Sequence, residues 1–284
     1  DFGYNFVLQR DYGRDMTSSI EIAADVIQQS ENIIITAGAG MGVDSGLPDF
    51  RGNQGFWRAY PALRGYPFEE MANPMWFDRE PTRAWGFYGH RLNLYRRTVP
   101  HDGFHILRSW ANEREYFVFT SNVDGAFQKA GFPESKIEEC HGSIHHVQYV
   151  NARFNDEIWS AADIEVSVDE ENCRAAEPLP RRNGRLLRPN ILMFGDGGWL
   201  SDRANNQARR LKIWLNSIDF TRTVIVEMGA GTAVPTVRYF GEHIQSRGAT
   251  LIRINPTAAE GPIGTISIPE GAKSTLLAID SLMN

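Results

Sequence analysis

The residues of this 284-residue chain that could do chemistry fall into a few short clusters. The first is Gly38-Ala39-Gly40-Met41-Gly42, followed closely by Pro48-Asp49-Phe50-Arg51. Glycines let the backbone reach positive φ and approach a ligand with no Cβ in the way. A turn of this kind between an apolar strand and a helix leaves free N–H groups where a pyrophosphate can sit. An ordinary strand-to-helix turn accounts for the glycines but not for the Asp-Phe-Arg after them, so the pattern favours a nucleotide site. The hydride-transfer fingerprint fits less well, because Val43 stands where that motif has its third glycine. The second cluster, Ser121-Asn122-Val123-Asp124-Gly125, sets an amide and a carboxylate at alternate positions just past a strand, where both can face one crevice. An Asx-type turn capping a helix uses the same residues. The third is His141-Gly142, an imidazole at a strand end whose ordinary pKa of about 6.5 suits proton transfer. Tyr88 and Arg91 are three apart on a predicted helix and so share a face. The guanidinium offers a planar fork for a carboxylate, although a surface arginine gives the same spacing.

Alternating elements must position these residues. Met16–Ser30 has helical spacing, with Ile20, Ile22, Ala23, Val26 and Ile27 on one face and Thr17, Ser18 or Ser19 as its cap. Strands are expected at Asn32–Thr36, Tyr116–Thr120, Lys136–Glu139, Asn190–Phe194, Thr223–Glu227 and Thr250–Ile254. Several are continuous apolar runs, the mark of a parallel sheet covered on both faces. Helices are expected between them at Gly103–Glu113, Ala204–Ser217 and Val234–Gln245. The alternation predicts an α/β fold, a Rossmann-like doubly wound parallel sheet. Two stretches fit the sheet poorly: 55–100, rich in aromatics and arginine, and 143–187, polar and irregular. They are expected to be insertions that together form a smaller lobe, leaving 1–54, 101–142 and 188–284 for the main domain. Ligands of such folds bind at the carboxyl ends of the strands.

Composition narrows the function classes. The net charge of −6 suggests no basic patch for nucleic acid or anionic membrane. No apolar run approaches the length of a membrane span. Residues 1–15 lack the apolar core of a secretory signal, and two cysteines make no disulfide framework, so a cytoplasmic protein is expected.

Taken in order, the clusters resemble the sirtuin (Sir2) family of NAD-dependent protein deacylases. Residues 38–51 resemble its Gly-Ala-Gly-x-Ser-x-x-Ser-Gly-Ile-Pro-Asp-Phe-Arg signature, departing at Gly42 and Leu47. Residues 120–124 resemble Thr-Gln-Asn-Ile-Asp, with Ser121 for the glutamine, and are continued by Lys129-Ala130-Gly131. His141-Gly142 matches the catalytic His-Gly, and 188–196 resembles Arg-Pro-x-Val-Val-x-Phe-Gly-Glu with Asp196 for the glutamate. Residues 226–235 stand in place of the adenosine-side Gly-Thr-Ser loop, one residue shorter, and Ile254-Asn255 matches an Ile-Asn element. The resemblance implies that NAD is held by Gly38, Ala39, Gly40, Asp49, Phe50, Arg51, Ser121, Val123, Gly229, Gly231, Thr232 and Asn255. It implies catalytic roles for Asn122 at the ribose, Asp124 at the nicotinamide carboxamide and His141 as general base. Phe50 would shield the reactive ribose and Arg51 would order the cofactor loop. Phe194, Gly195 and Asp196 would bracket an acyl-lysine peptide by strand addition. Tyr88 and Arg91 resemble the pair of the subgroup that accepts acidic acyl chains.

The implied activity transfers the acyl group of a protein lysine to ADP-ribose while nicotinamide leaves. The alternative is an NAD glycohydrolase or ADP-ribosyltransferase using the same pocket, and a third reading is an NAD-binding protein with little turnover. The family usually carries two Cys-x-x-Cys pairs holding zinc after His-Gly. Here Tyr149 stands near the first position, Pro180-Arg181-Arg182-Asn183-Gly184 replaces the second pair, and 143–188 holds Cys173 alone. Cys140 and Cys173 with His145 and His146 are poorly spaced for a mixed site, and the two histidines are expected to be bystanders or lobe contacts. No zinc is expected, with the lobe held by its aromatics.

Overall fold

A computed structural model describes residues 18–48, 52–153 and 155–284. Helix α1 (18–29) turns Ala23, Ala24 and Ile27 inward and leads into β1 (Asn32–Ala37), buried throughout. A 3-10 turn (Ala39–Ser45) then leaves the sheet for α2 (Gly52–Ala59), α3 (Phe68–Met71), α4 (Met75–Arg79) and α5 (Pro81–Arg97). The chain returns through α6 (Asp102–Asn112), β2 (Glu115–Thr120), α7 (Ala126–Lys129) and β3 (Ile137–Glu139). A second excursion runs from β4 (Gly142–Tyr149) through β5 (Trp159–Ser160), β6 (Val168–Asp169), β7 (Arg174–Ala175) and β8 (Arg181–Arg182) to β9 (Arg185–Ile191). The remainder is α8 (Asp202–Leu215), β10 (Thr223–Met228), α9 (Thr236–Gln245), β11 (Thr250–Ile254), β12 (Ile266–Ile268) and α10 (Ala272–Met283).

The main sheet is parallel in the order β12-β11-β10-β1-β2-β3, so this is the Rossmann-like fold that the alternation predicts. The chain builds outward from β1 in one direction and then from β10 in the other. The carboxyl ends of these two strands are therefore the topological switch point. Ala37 is level with both Met228 and Thr120, so three strands end together there. Helices α1, α6 and α10 cover one face through Ile27, Leu107, Leu276 and Ile279, and α8 and α9 cover the other through Leu211, Trp214, Val237 and Ile244. Each such fully buried side chain contributes about 1.5–3 kcal/mol.

One expected strand is placed differently. Asn190–Phe194 does not join the parallel sheet: the strand is Arg185–Ile191, antiparallel to β4 and β8 in a separate sheet ordered β5-β4-β9-β8. An apolar run marks a strand without saying which sheet it enters.

That sheet and α2–α5 enclose an aromatic core containing Phe56, Trp76, Phe77, Trp85, Phe87 and Tyr88 with Ile144, Val147 and Leu187. The Trp85 indole N–H donates to the Leu187 carbonyl at 2.8 Å. At the tip of the lobe the Tyr149 and Trp159 rings meet edge to face at 4.9 Å. The Arg185 guanidinium lies 3.6 Å from the Tyr149 ring centre, and Arg182 lies 4.7 Å from that of Trp159. Arg185 also donates to both carboxylate oxygens of Asp156, at 3.1 and 2.8 Å. Asn183 (φ 50°) and Gly184 (φ 77°) make the two-residue turn between β8 and β9, a position that demands positive φ.

Beyond β9 the chain is pinned by a buried ion pair. Arg188 and Asp196, with side chains 0% and 1% exposed, meet through two bonds of 2.7 and 3.0 Å. Asp196 also accepts from the N–H groups of Met193 and Gly198. Beside it, the Gln148 amide joins the Asn190 side chain, the Leu200 N–H and the Gly198 carbonyl. Removing one partner of such a pair strands the other charge in a dry site, which costs about 3–5 kcal/mol. Asp196→Asn is expected to lower stability by that amount in urea unfolding; a loss below about 1 kcal/mol contradicts the assigned pairing.

Candidate active site

The site begins where two turns touch. The Gly38 N–H donates to the Met228 carbonyl and the Gly40 N–H to the Gly229 carbonyl, each at 3.0 Å. A Cβ on Gly38 would lie 2.7 Å from the Gly229 oxygen, and one on Gly229 (φ 59°) would lie 2.4 Å from the Gly40 carbonyl carbon. The turns after β1 and β10 thus interlock as bare backbone. Asn122, at the exit of β2, donates its side-chain amide to the Gly38 carbonyl at 2.9 Å. Asn255, at the exit of β11, does the same to the Ala230 carbonyl at 2.9 Å. Four strand ends are tied into one rim, on which Ala39, Gly231 and Thr232 stand exposed. Gly42 and Leu47, the two departures from the family signature, touch: a Cβ on Gly42 would lie 2.8 Å from a Leu47 methyl. Asp49, Phe50 and Arg51 lie outside the described residues.

Next along the crevice, Asp124 is buried and accepts the Ala126 N–H at 2.9 Å, capping α7. Burial raises its carboxyl above the usual range, opposed by that N–H and by the Arg91 charge. The Asx turn that the sequence allows is thus present at this residue. His145 Nε2 donates to the Asp124 carbonyl oxygen at 2.8 Å, and the Ile144 N–H donates to that of Val123 at 3.0 Å. At the other end of α7 the Lys129 ammonium donates to the carbonyls of Tyr95, Arg96 and Thr98 at 2.7, 2.6 and 2.9 Å. These are the last carbonyls of α5, where a cation is favoured.

His141 is half-buried, and burial lowers its pKa below the usual 6.5. Its Nε2 lies 3.5 Å from the Thr236 hydroxyl at the start of α9, and its carbonyl accepts the Leu192 N–H. The neighbouring Cys140 thiol is pushed up to about 12 by burial, so it is no nucleophile at neutral pH. Tyr88 and Arg91 are both buried on α5. The Arg91 guanidinium donates to the Tyr95 hydroxyl at 3.0 and 2.9 Å and lies against the rings of Phe87, Tyr88 and Tyr95.

Phe194 is 38% exposed, donates its N–H to the Ala72 carbonyl at 2.8 Å, and packs edge-on against Phe68, tying the chain beyond β9 to the α2–α5 excursion. Asp196 differs: its carboxylate is consumed by Arg188, so the side chain turns inward. Sequence reasoning did not single out Thr236. Lys129 lies in the Lys-Ala-Gly continuation of the Asn-x-Asp cluster, and His145, expected as a bystander or lobe contact, ties β4 to the Asp124 carbonyl.

The bare-backbone rim, with asparagine amides on two sides and a buried carboxyl beyond, fits a dinucleotide. The donor set does not fit zinc. Cys140 packs beside the main sheet and Cys173 in the lobe core, and among the described residues no three His, Cys, Asp or Glu side chains converge.

Comparison with known proteins agrees with this geometry. The Sir2 family profile matches residues 38–214. An NAD-dependent protein deacylase of Thermococcus kodakarensis is 28% identical over 234 residues, covering 82% of this chain and 83% of the relative. NAD-dependent protein deacylase 2 of Pyrobaculum aerophilum is 29% identical over 255 residues, covering 89% and 91%. In fold, a Sir2 homologue–ADP-ribose complex superposes with a TM-score of 0.70 at 23% identity, covering 92% of this chain and 95% of the other. A Sir2 homologue–NAD complex gives 0.68 at 24%, covering 92% and 93%. The matched segment, more than half the chain, contains both the glycine turn and the His-Gly element: this protein belongs to the Sir2 family.

Proposed function

We propose that this protein is an NAD-dependent protein-lysine deacylase. The observation that carries the reading is the joining of four strand exits into one bare-backbone rim, with a buried carboxyl just beyond β2 and a weakly basic imidazole just beyond β3. NAD, when bound, supplies a ribose carbon whose bond to nicotinamide can break. The rim at Gly38, Ala39, Gly40, Gly229, Gly231, Thr232 and Asn255 offers N–H groups and close approach to the phosphates and adenosine. Ser121, Asn122 and Val123 border the ribose, and the Asp124 carboxyl accepts from the carboxamide. Asp49, Phe50 and Arg51 are assigned to the cofactor loop by resemblance. The neutral imidazole of His141 takes a proton from a ribose hydroxyl, a role worth about 10²–10⁴ in rate. The chain beyond β9, with Phe194 and Gly195 at its turn, receives the acyl-lysine peptide, and Asp196 holds that turn in place. No nucleic acid or membrane partner is part of this reading; among the described residues no helix is long and apolar enough to cross a membrane. A cytoplasmic location is proposed from the two unpaired cysteines.

A finer reading concerns the acyl chain. Arg91 is a buried cation whose guanidinium is walled by three aromatic rings, which favours an acidic acyl group near Tyr88. A zinc-free lobe is proposed as well, because the guanidinium–aromatic contacts of Tyr149, Trp159, Arg182 and Arg185 occupy the region of the family's cysteines.

Nicotinamide release should depend on acyl-lysine peptide and fall at least about 10²-fold in His141→Ala. Release without peptide would support a glycohydrolase instead, and NAD binding without release a non-catalytic protein. With succinyl- and acetyl-lysine peptides, the preference for succinyl should disappear in Arg91→Met. Because the base must be neutral and burial lowers its pKa, kcat/KM should rise with pH along a limb centred below about 6.5 and then level. A limb centred above that value contradicts the assignment. Treatment with 1,10-phenanthroline should leave both the melting temperature and the activity unchanged; a fall of several degrees, about 1 kcal/mol, would show a structural metal.

A further inference from the structure

Helix α8 contains no residue that the motifs assign to the site, yet it fastens β3, the strand that leads into His141. β3 is the outermost strand of the parallel sheet and three residues long, so among the described residues its outer side has no neighbouring strand. An amide from α8 takes that place. The Glu139 backbone N–H donates to Gln207 Oε1 at 3.0 Å, and Gln207 Nε2 donates back to the Glu139 carboxylate at 3.2 Å. One side chain thus closes a ring on both the main chain and the side chain of a single residue. The same carboxylate oxygen takes Arg203 Nη2, one helical turn earlier, at 2.5 Å. Glu139 and Gln207 are 1% and 2% exposed, so these bonds form away from solvent, where an unmade one is costly.

The fastening matters because the proposed base stands immediately beyond it. Cys140 is held by its N–H on the Thr120 carbonyl, and the next residue is His141. The imidazole therefore lies two positions along the chain from the clamped carboxylate. From the opposite side it meets the Thr236 hydroxyl at 3.5 Å, a long contact. An edge strand three residues long has little stiffness of its own. A general base, in contrast, has to stay within hydrogen-bond reach of its proton, and misplacement by about 1 Å can cost 10²-fold.

We infer that Gln207 and Arg203 are positioning residues for His141, acting through Glu139. This rests on the proposed role of His141 as base, but the clamp itself has a readout independent of that role. In Gln207→Met, which keeps length and removes both amide bonds, kcat for peptide-dependent nicotinamide release should fall at least about tenfold while the NAD dissociation constant changes less than about twofold. The His141 imidazole, followed by NMR in the resting protein, should titrate with a shifted midpoint in the same variant. Should Gln207→Met fail to fold, the same two measurements apply to Arg203→Gln, at a position nearer the surface. A shifted His141 titration with activity lost supports the inference. A shifted titration with kcat unchanged would remove His141 as base while leaving the clamp intact. An unmoved titration with unchanged kcat overturns the inference, whatever happens to the melting temperature.

Discussion

The contact between the backbones at Gly40 and Gly229 sets the geometry of the crevice. Main chain meets main chain with no side chain between, at distances a single methyl group would violate. That contact brings the ends of β1 and β10 together at the switch point, and the amides of Asn122 and Asn255 then lash the exits of β2 and β11 to it. The rim is closed by hydrogen bonds between backbones that lie too near each other for any Cβ, which is why glycine is required on both sides.

Charges buried around this rim serve the same end by another route. Arg188 with Asp196, Arg203 with Glu139, and Arg253 with Glu227 each place a carboxylate almost wholly out of water. Such pairs add little net stability over apolar packing, because desolvation offsets their attraction. Their bonds are directional, however, and each fixes a segment next to the crevice: the turn after β9, the end of β3, and the ends of β10 and β11. The interior of the lobe is arranged differently, with stacked rings and guanidinium faces in place of carboxylates.

Much of this was legible in the sequence where the cause is local. The Ile33-Ile34-Ile35 run reads as a buried strand, and glycine spacing after it reads as a turn that must let something close. The Asn122 and Asp124 positions follow from their place just past the end of β2. What could not be read depends on partners far apart in the chain. Asn190 binds Gln148, 42 residues away, and Gln207 binds Glu139 across 68. Glutamine on a helix ordinarily faces water, so nothing in the local pattern marks Gln207 as buried. Likewise the run at 190–194 has strand character but no local feature that separates an antiparallel partner from a parallel one. The two-residue strands β5 to β8 are too short for periodicity to register.

The Lys129 ammonium has a consequence for the chemistry of its own side chain. The chain has four lysines among its 29 basic residues; Lys136 and Lys273 face Glu115 and Asp102 across exposed pairs, and Lys212 is exposed on α8. Lys129, at the end of α7, gives all three hydrogens to carbonyl oxygens at the end of α5. An amine becomes a nucleophile toward activated acids only when it can lose a proton and turn its lone pair outward. Held by three acceptors, this amine must first give up its bonds to the end of α5, so acylation of Lys129 would unfasten α7 from α5.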